Sequence, residues 1–271
     1  MKFTRLLIIV AVAYVLTCAA LFFFQRTLLF PGASNEVISY DAEAPWGQWV
    51  SIDTADGERL AALYEPPAQG KPVILLFHGN ADRISGYFFL AGLAKEQGYG
   101  LLAPAFRGYP GSTGKPSEDG ILEDGRSTWH WLRRQLPDAP IAIVGWSLGS
   151  GVAVNTAAEH DPAAVVLLSS YDSIASVATD KFPLLPVHWL IRDPLHSDQR
   201  IRKIRAPKLF LHGEFDPTIS MARGKALFDL ATEPKKFIEL KGEGHDIWTH
   251  EALEKLFDFL NDSLRRTEND E

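Results

Sequence analysis

Leu6 to Phe24 (LLIIVAVAYVLTCAALFFF) is 19 consecutive residues without a charge, and no other stretch restricts the fold of this chain as sharply. A helix rising about 1.5 Å per residue carries it about 28 Å, close to the roughly 30 Å hydrocarbon core of a bilayer. The segment therefore reads as one N-terminal transmembrane helix, an anchor that takes up residues 1–30 with its flanks. Two other readings stay open: a cleaved signal peptide, whose apolar region usually runs about 7–15 residues, and a buried helix. Cys18-Ala19-Ala20 is only a weak cleavage site. Lys2 and Arg5 precede the segment and Arg26 alone follows it closely. The positive-inside tendency then predicts a single-pass protein with its N-terminus in the cytoplasm and the rest on the non-cytoplasmic side.

The averages hide this division. Of 271 residues, 46% are apolar and 23% charged, which excludes a disordered, collagen-like or polytopic membrane chain. One cysteine, Cys18, excludes an intrachain disulfide and a cysteine-rich zinc site. Residues 1–30 hold three basic and no acidic residues. Residues 31–271 therefore set 24 Lys and Arg against 34 Asp and Glu, a net of −10 where the whole chain has −7. Such a domain is repelled by phosphate backbones and carries no basic stripe, so no nucleic-acid partner is expected.

Beyond the anchor the chain alternates strand and helix. Trp46–Asp53 and Glu58–Tyr64 read as strands joined by the Asp56-Gly57 turn. Val73–Phe77, Leu101–Phe106, Ile141–Val144, Ala164–Leu168, Lys208–Leu211 and Lys236–Leu240 are short apolar runs of the kind buried on both faces of a sheet. Between them, helical periodicity covers Ile84–Gln97, the stretch from an N-cap at Ser117 to Leu136, Leu148–His160, Ser220–Leu230 and Trp248–Leu264. The expected fold is α/β, a mostly parallel central sheet flanked by helices, in one domain over residues 31–265. Residues 172–207 contain no clear strand, yet carry Phe182, Leu184, Leu185, Val187, Trp189, Leu190 and Ile191. The stretch reads as a lid insertion whose apolar residues line an acyl groove or dip toward lipid, or else only cover the sheet's end and each other. Residues 266–271 read as a polar tail, with fraying from Arg265.

The chemistry gathers at strand ends. Gly145-Trp146-Ser147-Leu148-Gly149 lies between an apolar strand and an alanine-rich helix. This is the context in which G-x-S-x-G lifts a serine hydroxyl above the sheet on a sharp turn. Ser147 is the candidate nucleophile. It needs a base, and His245, after the last strand in Lys241–His245 (KGEGH), is the candidate. His130 and His160 fall within helices, His188 and His196 in the insertion, and His250 in the final helix. Asp216 in Leu209–Pro217 (LFLHGEFDP) is the candidate to orient the imidazole. It stands 69 residues after Ser147 and 29 before His245, with Asp172 and Glu214 as rivals. Two backbone N–H groups are candidate oxyanion donors: that of Leu148, and that of Asn80 in the loop Phe77–Ala81 (FHGNA). His78 reads as a residue that holds this loop.

Taken together, these segments resemble the α/β-hydrolase superfamily over about residues 35–265. A closer resemblance is to the small, N-terminally membrane-anchored α/β-hydrolase-domain proteins, some of whose relatives depalmitoylate proteins. It is carried by QRTLLFPG at 25–32, FHGNA at 77–81, FRGYPGSTGKPSEDG at 106–120, GWSLGSGVA at 145–153 and Gly244-His245. The depalmitoylating branch has an N-terminal cysteine cluster where this chain has its anchor. The resemblance implies hydrolysis of a carboxylic ester or thioester, of a small molecule or an acyl lipid, with no metal and no organic cofactor. An amidase or peptidase using the same three residues stays open, as does a membrane-tethered interaction protein on a hydrolase scaffold. Ser147 argues against dehalogenase and epoxide-hydrolase chemistry, because both need an aspartate where it stands.

Overall fold

The computed structural model describes residues 2–34, 36–39 and 43–269, with side chains through residue 264. Helix α1 (Lys2–Leu29) has no buried residue, and it is long and apolar enough to cross a membrane. The strands are β1 (Gln48–Asp53), β2 (Arg59–Glu65), β3 (Val73–Phe77), β4 (Gly100–Pro104), β5 (Ile141–Trp146), β6 (Ala164–Leu168), β7 (Lys208–Gly213) and β8 (Lys235–Leu240). They form one sheet in the order β1-β2-β4-β3-β5-β6-β7-β8. The β1–β2 and β2–β4 pairs are antiparallel, and every later pair is parallel. This is the α/β architecture expected from the alternating apolar runs. Strands β3, β4 and β6 are buried at every position, as strands covered on both faces must be.

The remaining helices are α2 (Phe88–Glu96), α3 (Glu118–Gln135), α4 (Leu148–Glu159), α5 (Ile174–Lys181), α6 (Val187–Leu190), α7 (Met221–Leu230) and α8 (His250–Asn269). Ser117 caps α3 by accepting from the Gly120 N–H at 3.2 Å. Glu118 and Asp119 in its first turn, with Arg133 and Arg134 in its last, complement the helix dipole. Helix α8 is amphipathic and buries Ala252, Leu253, Leu256, Phe257, Leu260 and Leu264.

Two expectations need correction. The helix expected over Ile84–Gln97 begins with a tighter 3-10 turn, Ile84–Tyr87, before α2. The last helix, expected to end at Leu264, runs through Asn269 and so takes in the start of the expected tail; Asp270 and Glu271 lie outside the described residues. The insertion 172–207 holds α5, α6 and a short 3-10 turn at Ile201–Lys203, and no strand.

β3 pairs with β4 on one side and β5 on the other, so the chain changes direction across the sheet at this point. Ligands of open α/β sheets bind outside the carboxyl ends of the strands at such a switch. All of the predicted site residues lie in or next to the loops leaving β3, β5, β7 and β8 at that edge.

Candidate active site

The turn from β5 into α4 is built by close approaches that only glycine permits. A Cβ on Gly149 would lie 2.1 Å from the carbonyl oxygen of Phe77, and one on Gly145 would lie 2.5 Å from the Ala153 methyl. The first turn of α4 can therefore pass over the end of β3. Ser147 between them has φ +51° and ψ −120°, left-handed backbone that a non-glycine residue rarely adopts. Its side chain stands at the head of α4, where the helix dipole favours developing negative charge.

His245 and Asp216 meet Ser147 here. His245 Nε2 lies 2.9 Å from Ser147 Oγ, and His245 Nδ1 lies 2.8 Å from Asp216 Oδ2. A carboxylate only accepts, so the Asp216 contact places the ring proton on Nδ1 and leaves Nε2 to accept from the serine hydroxyl. Asp216 Oδ1 accepts from the N–H groups of Thr218 and Ile219, each at 2.8 Å. The Asp216 side chain is fully buried, which by itself would raise its pKa. Hydrogen bonds from His212, from His245 and from the Ile219 N–H outweigh burial and hold the carboxyl well below the usual carboxylate range.

The rival acids are engaged elsewhere. Asp172 accepts from its neighbour's N–H, Ser173, at 2.9 Å and pairs with Arg223 at 3.3 Å; Glu214 accepts from the Gly242 N–H at 3.1 Å. His130 and His160 contact each other edge to face, remote from Ser147 in the fold.

Asn80 and Leu148 line the same cavity as Ser147. The Tyr109 hydroxyl donates to the Asn80 carbonyl at 2.6 Å, which fixes the peptide chain at the residue expected to supply a donor. Gly32, the last residue of QRTLLFPG, packs against this pair; a Cβ there would lie 2.6 Å from both the Asn80 carbonyl oxygen and the Tyr109 ring. His78 holds the loop from beneath. Its Nδ1–H donates to the Gly79 carbonyl at 2.7 Å, while Nε2 accepts from the Phe106 N–H at 3.2 Å.

Burial pushes the His78 pKa from 6.5 down to about 4, so the ring is neutral near pH 7. Because the folded pKa lies below the unfolded one, its stabilising contribution is complete above pH 6.5. It falls as pH drops toward 4, by about 1.4 kcal/mol per pH unit. Urea unfolding of the full chain in detergent at successive pH values should show this slope, and His78→Asn should flatten it. A variant as steep as the wild type would exclude His78 as its source.

Four residues at the site were not singled out from the sequence. His212 Nε2 lies 3.4 Å from Asp216 Oδ2 and donates to the Ile219 carbonyl at 2.9 Å; its place four residues before Asp216, at the end of β7, was the available signal. The His245 carbonyl accepts from Trp146 Nε1 at 3.3 Å and from the Ser169 hydroxyl at 3.0 Å. Tyr109 is the fourth, and its glycine- and proline-rich setting was the signal.

A cavity of about 300 Å³ opens beside Ser147. Its walls are mainly apolar, with Ile174, Val177 and Leu185 from the lid and Leu21, Leu28 and Leu29 from α1. Such a chamber has the lining to take an aliphatic chain beside the Ser147 hydroxyl.

The α/β hydrolase fold family matches residues 72–194. An uncharacterized protein of Mycobacterium tuberculosis is 34% identical over 253 residues, covering 91% of this chain and 90% of its own. Lysophosphatidylserine lipase ABHD12 of Rattus norvegicus is 31% identical over 237 residues, 76% of this chain; the match spans 58% of that longer protein. The Pyrococcus furiosus esterase Pf2001 superposes with a TM-score of 0.68 at 17% identity, over 86% of this chain and 97% of its own, which shows a shared fold. The chain belongs to the α/β-hydrolase family and is an esterase- or lipase-like hydrolase with one N-terminal apolar helix.

Proposed function

We propose that this chain is a membrane-anchored serine hydrolase of carboxylic esters or thioesters, acting through an acyl-enzyme on Ser147. The observation that carries the reading is the continuous hydrogen-bonded series Ser147–His245–Asp216 at the mouth of an apolar cavity. Ser147 Oγ attacks the acyl carbon as its proton passes to His245 Nε2. The Nδ1–H···Asp216 bond steadies the imidazolium, and the N–H groups of Asn80 and Leu148 receive the oxyanion. His245 then gives the proton to the departing alcohol or thiol. Water attacks the acyl-enzyme, yields its proton to the same nitrogen, and the acid leaves with Ser147 restored. Each of these steps uses only groups of this chain and water.

In this reading residues 1–30 are the anchor, residues 31–265 the catalytic domain with the lid at 172–207, and residues 266–271 the tail. The charge asymmetry around the anchor favours a catalytic domain on the non-cytoplasmic side. The lipase name of the rat relative favours an acyl lipid among the possible esters. A fluorophosphonate probe should label the folded full chain, and Ser147→Ala should abolish the labelling. Failure of the folded wild type to label would favour the interaction-protein reading. Matched ester and amide substrates separate an esterase from an amidase.

A further inference from the structure

The anchor does more than end near the domain. Five residues of α1, Leu21, Phe22, Gln25, Leu28 and Leu29, line the same cavity as Ser147, so one wall of the acyl chamber belongs to the membrane-crossing helix. The opposite wall is the lid, and lid and helix are bonded to each other along their length. At the lower end Gln25 Nε2 donates to the Leu190 carbonyl at 2.9 Å, and Gln25 Oε1 accepts from the Arg192 N–H at 2.7 Å. One residue on, Arg26 holds the buried Asp193 through two bonds of 2.7 and 2.9 Å. At the upper end the Tyr14 hydroxyl donates to the Leu184 carbonyl at 2.9 Å.

These contacts set the depth of the lid. From Tyr14 to Gln25 the helix rises about 16 Å, roughly one leaflet of a hydrocarbon core about 30 Å thick. Both partners change character at one level. The apolar run of α1 ends at Phe24, just before Gln25 and Arg26, and the mainly apolar stretch of the lid, in which the exposed His188 lies 3.5 Å from the Thr179 hydroxyl, ends at Ile191, just before Arg192 and Asp193. The lid above that level is built for lipid. Leu184 and Trp189 are 85% and 89% exposed, and Phe182 is also exposed, in a segment where a water-facing loop would carry polar side chains.

Five of its backbone donors are also turned inward. Phe182, Leu185, Val187, Trp189 and Ile191 donate to carbonyls within the segment, and Pro183 and Pro186 have no donor to leave open. The charged residues of α5 face the domain: Asp180 is held by Arg223 at 2.7 Å, and Lys181 reaches the Pro217 carbonyl at 3.4 Å.

Resting on the serine-hydrolase reading above, we infer that α1 is a substrate-binding wall and the lid tip lies within the adjacent leaflet. The enzyme thereby draws the acyl chain of a bilayer-resident lipid ester sideways from the membrane into the space between anchor and lid. Cleaving the anchor would remove one wall of the site, so the anchor is retained in the active enzyme.

The test uses the full chain in phosphatidylcholine vesicles and a long-chain alkyl fluorophosphonate bearing a diazirine on its alkyl tail. After labelling and irradiation, crosslinks are expected within residues 21–29 of the anchor as well as within residues 174–191. Labelling of Ser147 with crosslinks confined to the domain would overturn the inference and leave the serine reading intact. No labelling of Ser147 would overturn both.

Two further measurements guard against a chance crosslink. Leu21→Trp and Leu28→Trp should each lower the ratio of kcat/KM for long-chain over acetyl esters at least tenfold, and an unchanged ratio in both would count against an anchor wall. Nitroxide-labelled lipid should quench a component of tryptophan emission that Trp189→Phe removes. Identical quenching in the two proteins would take the lid tip out of the leaflet.

Discussion

Replacing Ser147 with alanine is expected to lower kcat for an acyl ester by about 10⁴–10⁶-fold, with little change in KM. His245→Ala should fall in the same range, and the double variant should be no slower than either single one. The physical reason is that hydroxyl and imidazole act as a unit: without the base the serine is a weak nucleophile, and without the serine the base has no proton to accept. Asp216→Asn removes the carboxylate that sets the ring tautomer, and should cost about 10⁴-fold in kcat. The proposed oxyanion donors and the apolar cavity are untouched in all these variants, so a residual rate above the uncatalysed one is expected. Steady-state assays of the full chain in detergent decide the matter. Near-normal activity in Ser147→Ala would exclude the proposed mechanism.

What could be read from the sequence divides along a physical line. Strands buried on both faces must be nearly all apolar, so Val73–Phe77 and Ala164–Leu168 were legible residue for residue. The Ser147 turn was legible because its glycines answer to sterics within a few residues. His245 and Asp216 were legible because strand ends carry chemistry in a parallel sheet.

What escaped depends on which strands lie side by side. Ser169 reaches the His245 carbonyl because β6 leaves the sheet beside β5 and β7, an order no local pattern records. The Tyr109–Asn80 bond likewise joins loops after β4 and β3 that meet only because those strands are neighbours. The early turn at Ile84–Tyr87 has a local cause that periodicity overlooks: Gly86 weakens the first α-helical turn, and the buried Tyr87 hydroxyl is drawn to Asp82. The alliance of anchor and lid was least legible of all. Each segment reads as apolar for its own reason, while Tyr14, Gln25 and Arg26 tie them together by hydrogen bonds and Arg192 sits over the Phe22 ring at 5.9 Å.

Asp124→Ala is expected to destabilise the domain by about 3–5 kcal/mol, because it takes from the buried Arg107 its one fully buried partner and leaves it the half-exposed Asp56. Asp124 in α3 is fully buried and accepts both from Arg107 Nε and from the Arg107 backbone N–H, each at 2.8 Å. A Cβ on Gly120 would lie 2.5 Å from Arg107 Cδ, so the helix makes room for this side chain. Asp56 takes the other face of the guanidinium at 2.6 and 3.0 Å, but its side chain is 47% exposed. Asp56→Ala should therefore cost about 1 kcal/mol or less, because water and salt already screen that pair.

The loss reaches the active site as well. Arg107 begins the turn that carries Tyr109, and Tyr109 fixes Asn80, so Asp124→Ala should also lower kcat while Asp56→Ala does so far less. Urea unfolding with parallel kinetics checks both halves, and equal costs for the two aspartates would refute the assignment to burial. Replacing Arg107 and Asp124 together by methionine and leucine should destabilise less than Asp124→Ala alone, because the buried guanidinium then goes together with its buried partner.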